Sequence, residues 1–182
     1  ERMKKMYGYD PYMNPYYTYP HVYNPYNYYT PAWSPQLFPT NPHHYVELID
    51  YGPDPFVINI EETTKQNTNF RTALWTGKHL QLTLMSLNAG EDIGLEMHPN
   101  VDQFIRIEEG QGLVVMGDTR DRLDFQRRVF DDYIIIVPAG KWHNVINTGN
   151  TPLKLYSIYA PPEHPHGTVH RTKMDAEKQH RR

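Results

Sequence analysis

The sequence predicts an all-β domain, a small barrel or sandwich with an arm of different composition ahead of it, and three observations carry that expectation. After residue 45, short runs rich in β-branched and aromatic residues recur, turn-forming residues separate them, and no long helical period interrupts the series. At 182 residues the chain has room for one domain with a real core and a tail, and not comfortably for two.

In chain order, the tract from Tyr7 to about Tyr45 comes first. It repeats tyrosine, proline and asparagine, as in Tyr9-Asp-Pro-Tyr12 and Tyr23-Asn-Pro-Tyr26, and holds most of the chain's 15 tyrosines. Closely spaced prolines forbid helix continuation and central-strand pairing, and few aliphatics are present to build a core. Residues 1–45 are therefore expected to form an extended, largely disordered arm, whose aromatics suit self-association or partner binding.

The domain is expected over residues 46–172. Val57-Ile-Asn-Ile60, Leu80–Leu84, Gln103–Ile107, Gly112–Met116, Arg128–Phe130, Tyr133–Val137, Asn144–Ile146 and Leu153–Tyr159 read as strands. Asn88-Ala-Gly90, Glu109-Gly110-Gln-Gly112, Gly117-Asp118, Pro138-Ala-Gly140 and Thr148-Gly149-Asn150 read as the turns between them. The mixed-charge stretch Asp118–Arg128 is expected to be a solvated hairpin excursion, and residues 173–182 a polar tail with a weakly helical start.

Charge and composition exclude several functions. A formal net charge of −3 argues against a backbone-driven nucleic-acid binder. The longest apolar run, Ile134–Val137, is far short of the about 18 residues of a membrane helix. The basic start, Glu1–Met6, is followed by tyrosine, proline and asparagine, not by the apolar stretch of a secretory signal. The expected location is the cytoplasm, or a bacterial spore coat or surface layer. With no cysteine, disulfides and thiolate ligands are excluded, so a metal would have to sit on histidine, amide and carboxylate groups.

Two stretches point to such a pocket: His98-Pro-Asn100-Val-Asp102-Gln103, and Pro138-Ala-Gly140-Lys-Trp-His143-Asn-Val-Ile-Asn147. Residues two apart on a strand share a face, so His98 and Asn100 point the same way, and a bend at Pro99 is needed for Gln103 to join them. Beyond the bend, Gln103, Ile105 and Ile107 face the interior, whereas Phe104 and Arg106 face outward. Glu163-His164-Pro-His166-Gly-Thr-Val-His170 forms a further cluster in an exit loop.

These residues resemble the cupin family of jelly-roll, double-stranded β-helix barrels, over roughly residues 50 to 165. The family's second motif, glycine, five residues, then Pro-x-Gly-x-x-His-x-x-x-Asn, is matched by Pro138, Gly140, His143 and Asn147, with Asp132 in place of the leading glycine. Its first motif runs glycine, five residues, His-x-His, three or four residues, glutamate, six residues, glycine. His98 is taken as the first histidine, Asn100 stands for the second, and Gln103 stands for the glutamate six residues before Gly110. The tract from Phe56 to Gly77 is similar to single-domain bacterial cupins often labelled sugar-isomerase-like.

The resemblance implies a divalent metal, Zn, Mn, Ni or Fe, on His98, Gln103 and His143, with Asn100 as a weaker fourth donor. All four donors are neutral, so the two-histidine, one-carboxylate face of iron oxygenases is not expected. It also implies a metal-dependent, isomerase-like enzyme acting on a small polar molecule such as a sugar or sugar phosphate, with Asp102 and His164 as weak candidates for moving a proton. No arginine or lysine cluster is expected inside the barrel to hold a phosphate. The same residues leave open a structural protein that assembles through residues 1–45, and a small-ligand sensor. A homodimer is implied in each case.

Overall fold

The structure, a computed structural model, describes residues 45–180, so the arm expected at residues 1–45 lies outside the described residues but for Tyr45. Two antiparallel sheets make up the domain, as the alternating runs predict. The strands are β1 (Arg71–Thr76), β2 (Gln81–Leu87), β3 (Asp102–Glu109), β4 (Gln111–Gly117), β5 (Phe125–Phe130), β6 (Ile134–Val137), β7 (Trp142–Asn147), β8 (Leu153–Ala160) and β9 (Val169–His170). One sheet has the order β6-β3-β8-β2-β1-β9 and the other β5-β4-β7.

Between β2 and β3, residues 91–98 run antiparallel along the open edge of β7 without forming a full strand. Asn147, Ile93 and Glu96 N–H groups donate to Glu91, Val145 and His143 carbonyls at 2.8, 3.1 and 3.1 Å, and Asp92 and Glu96 form isolated bridges with Ile146 and His143. This segment closes the smaller sheet against the mouth of the barrel.

Alternation places the core where the sequence puts it. Gln103, Ile105 and Ile107 are buried while Phe104 and Arg106 are not, and Ile105, Ile107, Val145 and Leu155 are fully buried in one cluster between the sheets. Cutting any of these back to alanine would cost about 2–5 kcal/mol. Arg106, turned outward, lies 3.0 Å from Glu108 and 2.5 Å from Asp132.

Three elements, one helix and two strands, depart from the sequence expectation. Val57–Ile60 is not a strand: Val57 is 98% exposed, and Ile60–Gln66 is a helix, α1. Asn59 caps it by accepting the Glu62 N–H, with Glu61 and Glu62 in the first turn and Lys65 in the last, so capping chemistry outweighs a short apolar alternation. β1 and β9 were not foreseen, because neither Arg71–Thr76 nor Val169–His170 alternates by polarity. The start of the tail is a helix, α2 (Lys173–His180), where the weak signal placed one. No helix among the described residues is long and apolar enough to cross a membrane.

Candidate metal centre

His143 reaches the interior by ordinary strand construction. Pro138 and Ala139 follow β6, Gly140 turns with φ 80°, a left-handed value that a side chain would strain, and β7 begins at Trp142. The Gly140 N–H donates to the His98 carbonyl at 2.8 Å, so the turn that aims His143 also clamps the segment opposite. The His143 Nδ1 lies 3.0 Å from the Lys141 carbonyl. A carbonyl only accepts, so Nδ1 carries a proton, and Nε2 is the nitrogen turned inward toward Glu96.

His98 is oriented by a side chain instead. Its Nδ1 lies 3.2 Å from Glu163 Oε1, in the loop after β8. This is the carboxylate–histidine pairing that fixes a ligand's tautomer and raises its basicity. Pro99 and Asn100 then form a turn into β3, the bend the sequence required.

The third group is Glu96. It lies two residues before His98 and so shares its face, and its backbone pairs with His143 in both directions, at 3.1 and 2.9 Å. Its Oε1 lies 3.5 Å from Nε2 of each histidine. The ligand atoms of Glu96, His98 and His143 all fall within 4.8 Å of one another, and Glu96 Oε1, His98 Nε2 and His143 Nε2 are buried without a hydrogen bond. For metal–ligand bonds of about 2.1 Å, the edges of a coordination polyhedron come to about 3.0 Å (octahedral) or 3.4 Å (tetrahedral), which the two 3.5 Å spacings to Glu96 approach. The residues fit a divalent cation.

The electrostatics agree. Burial pulls the Glu96 carboxyl upward, but both imidazoles and Arg71 outweigh it and hold the group ionised, well below the usual carboxylate range. Burial opposes protonation of His98, yet Glu96 and Glu163 overcome it and raise its pKa. Two carboxylates thus face His98, a surplus of negative charge that a cation would offset.

The structure brings His98 and His143 together as the sequence reading expects, and corrects the donors around them. Asn100, expected as a fourth donor, is exposed in the turn beyond His98. Gln103 is buried on β3, with Nε2 donating to Ser157 Oγ at 2.8 Å and Oε1 left without a partner, an oxygen free to serve as a further donor. Asp102 is exposed, and its Oδ1 accepts the Ala139 N–H at 2.9 Å, bracing the β6–β7 turn. His164 is buried, its backbone held by the Gln81 amide at 2.9 Å in both directions and its ring edge-on to Tyr159. Burial first, then Arg71, pushes its pKa down to about 2, so it is neutral near pH 7.

Glu96 was missed in the sequence, and a signal for it was present. Set two residues earlier, the first motif reads Gly90, five residues, Glu96-Met-His98, four residues, Gln103, six residues, Gly110. Every spacing then fits, with glutamate for the first histidine and glutamine for the glutamate. The expectation of an all-neutral donor set is thereby overturned: the cluster is two histidines and one carboxylate. Asp132, standing where the second motif has glycine, has φ 68°, the conformation glycine would supply.

A cavity of about 530 Å³ opens against the cluster, with Arg71, Glu96, His98, Trp142, Glu163 and Lys173 among its walls. Lys173 of α2 is paired with Asp92 at 2.8 Å, tying that helix to the segment bearing the ligands.

A cupin-domain family model matches residues 83–159. Over 129 residues, 71% of this chain and 69% of the relative, the chain is 74% identical to the uncharacterized protein YrkC of Bacillus subtilis (strain 168). An uncharacterized protein of Acanthamoeba polyphaga mimivirus is 43% identical over 115 residues, 63% of this chain and 70% of that protein. The crystal structure of BH2720 from Bacillus halodurans is similar with a TM-score of 0.71 and 68% identity, covering 71% of this chain and 98% of that one. With these matches, the paired motifs and the two-sheet barrel, the chain belongs to the cupin superfamily.

Proposed function

We propose that this chain is a metal-dependent cupin enzyme that holds one divalent cation on Glu96, His98 and His143 and acts on a small polar molecule in the adjoining cavity. The observation that carries this reading is the convergence of three buried, unpartnered ligand atoms whose histidines are both pinned through Nδ1. A bound cation would supply Lewis-acid polarisation of a substrate oxygen and open positions for further ligands. Around it, the chain's own residues orient the donors and wall off solvent.

Between isomerisation and oxygen-dependent chemistry, the donor set favours the latter, because two histidines and a carboxylate on one face are the ligands of non-haem iron(II) oxygenases. Isomerisation needs a proton carrier poised near the working pH. His164 is held neutral far below it, and Asp102 is committed to the Ala139 N–H.

Protein loaded anaerobically with Fe(II), Mn(II), Ni(II) or Zn(II) and then desalted is expected to retain about one metal per chain, and Glu96→Ala to retain little. The iron form should give the high-spin iron–nitrosyl EPR signal with nitric oxide, which requires an open coordination position. A wild type that keeps no metal under any loading contradicts the reading.

The expected homodimer draws support from a separate observation. Phe125, Phe130, Tyr133, Ile134 and Ile136, on β5, β6 and the turn joining them, are 41–57% exposed, and β6 is an edge strand, the arrangement by which a sheet pairs with a second copy. The Ile134→Asp, Ile136→Asp double variant should then sediment as a monomer; an unchanged sedimentation coefficient rules this face out.

A further inference from the structure

A buried guanidinium faces the same cavity, and two of its nitrogens have no hydrogen-bond partner among the described residues. Arg71 opens β1, is 1% exposed, and shares the cavity wall with Glu96, His98 and Glu163. Its Nε and Nη2 make no hydrogen bond. The sequence offered no sign of this, because a lone arginine at the head of a strand reads as an outward group.

Burying the donors of a cation without partners is costly, so such a group calls for an anion from outside the fold. None of the acidic groups on the wall pairs with it: Glu96 faces the two imidazoles, Glu163 faces His98 Nδ1, and Glu177 is exposed on α2. The two unpartnered nitrogens are also informative in themselves. Nε–H and one Nη2–H lie on a single edge of the guanidinium and run parallel, the fork that grips two oxygens of one planar anion. His164 Nε2 is likewise buried without a hydrogen bond among the described residues, and its ring feels the Arg71 charge.

We propose that the Arg71 fork is a subsite for the carboxylate of a small substrate, a carboxylic acid whose neighbouring oxygen faces the Glu96–His98–His143 cluster. A carboxylate is favoured over a phosphate because, among the described residues, the cavity wall offers one unpaired fork. Its other cation, Lys173, is bound to Asp92. The subsite deepens the metal-dependent reading, but the carboxylate contact itself needs no metal.

The test uses the full chain labelled with ¹⁵N-arginine, in metal-free and zinc-loaded forms, titrated with acetate, glycolate and inorganic phosphate. The Arg71 Nε–H resonance, assigned by its loss in Arg71→Lys, is expected to move with acetate and glycolate and not with phosphate. By calorimetry, Arg71→Lys should weaken glycolate about tenfold or more by losing the fork while keeping the charge, and Arg71→Gln should abolish binding. Carboxylates that leave the resonance unmoved, that bind equally to Arg71→Gln, or that are bypassed in favour of phosphate overturn the subsite. Should the variants fail to fold, assigning the resonance by triple-resonance experiments lets the wild-type titration decide alone. If the wild type keeps no metal yet still binds glycolate through Arg71, the metal reading falls and the subsite stands.

Discussion

The two histidines of the cluster are held by opposite means. His143 is set by backbone: a glycine turn aims it, its own strand positions it, and the carbonyl two residues earlier fixes its tautomer. His98 lies on an irregular segment, and its orientation depends on Glu163, a side chain 65 residues away in sequence and 27% exposed. One half of the site is therefore built locally and follows from the fold. The other half needs a specific distant side chain, and that is where mutation can loosen the site without unfolding the barrel.

The harshest way to break this comparison is to remove a ligand. Glu96→Ala or His143→Ala should lower metal affinity by more than the about 10–100-fold that outer partners are worth, read by competition with a chelating dye, with the far-ultraviolet spectrum unchanged. If Glu96→Ala binds as well as the wild type, the carboxylate is not a ligand. The comparison itself is sharpened by Glu163→Gln, which should cost about 10–100-fold in affinity, beside Lys141→Ala, which should cost almost nothing because the partner of His143 is a main-chain carbonyl. Equal losses in the two variants would mean that the halves are supported alike.

Acid supplies a smaller perturbation on the Glu163 side. The His164 pKa is depressed from 6.5 to about 2 in the folded chain, so below 6.5 the unfolded chain takes up a proton that the folded one refuses. The stability His164 contributes is thus present above 6.5 and is lost as the pH falls, by at most about 1.4 kcal/mol per pH unit. Urea midpoints at pH 7.5 and 5.0 should differ less in His164→Asn than in the wild type; the same difference in both would show that His164 titrates freely.

The least effect is expected at Asp132, in the turn before β6. Its φ of 68° suits glycine, and its ion pair with Arg106 is largely exposed. Asp132→Gly should leave stability within about 0.5 kcal/mol, while Asp132→Val should cost about 1–2 kcal/mol from left-handed strain. Chemical denaturation of both variants checks this; a valine as stable as the glycine would remove the backbone argument.

The same division explains what the sequence disclosed. The barrel was legible because strand alternation and turn residues are local: Gln103, Ile105 and Ile107 point inward as their parity requires. His143 was legible because Pro138, Gly140 and Asn147 fix one geometry around it. Glu96 was marked only by the Gly90-to-Gly110 spacing, because near His98 both Glu96-x-His98 and His98-x-Asn100 place two donors on one face, and parity cannot choose between them. What chooses is a pairing with β7, and that depends on residues 91–98 lying beside Trp142–Asn147. Arg71 and α1 escaped for related reasons: burial of a lone arginine is a tertiary fact, and the Asn59 cap competes with a strand-like alternation that continues through Ile60.

The most direct test is anomalous diffraction from crystals of the metal-loaded protein. One metal is expected about 2.0–2.2 Å from Glu96 Oε1, His98 Nε2 and His143 Nε2, with Glu163 still on His98 Nδ1. A metal that leaves Glu96 unligated, or no anomalous peak between the two histidines in fully loaded crystals, would contradict this.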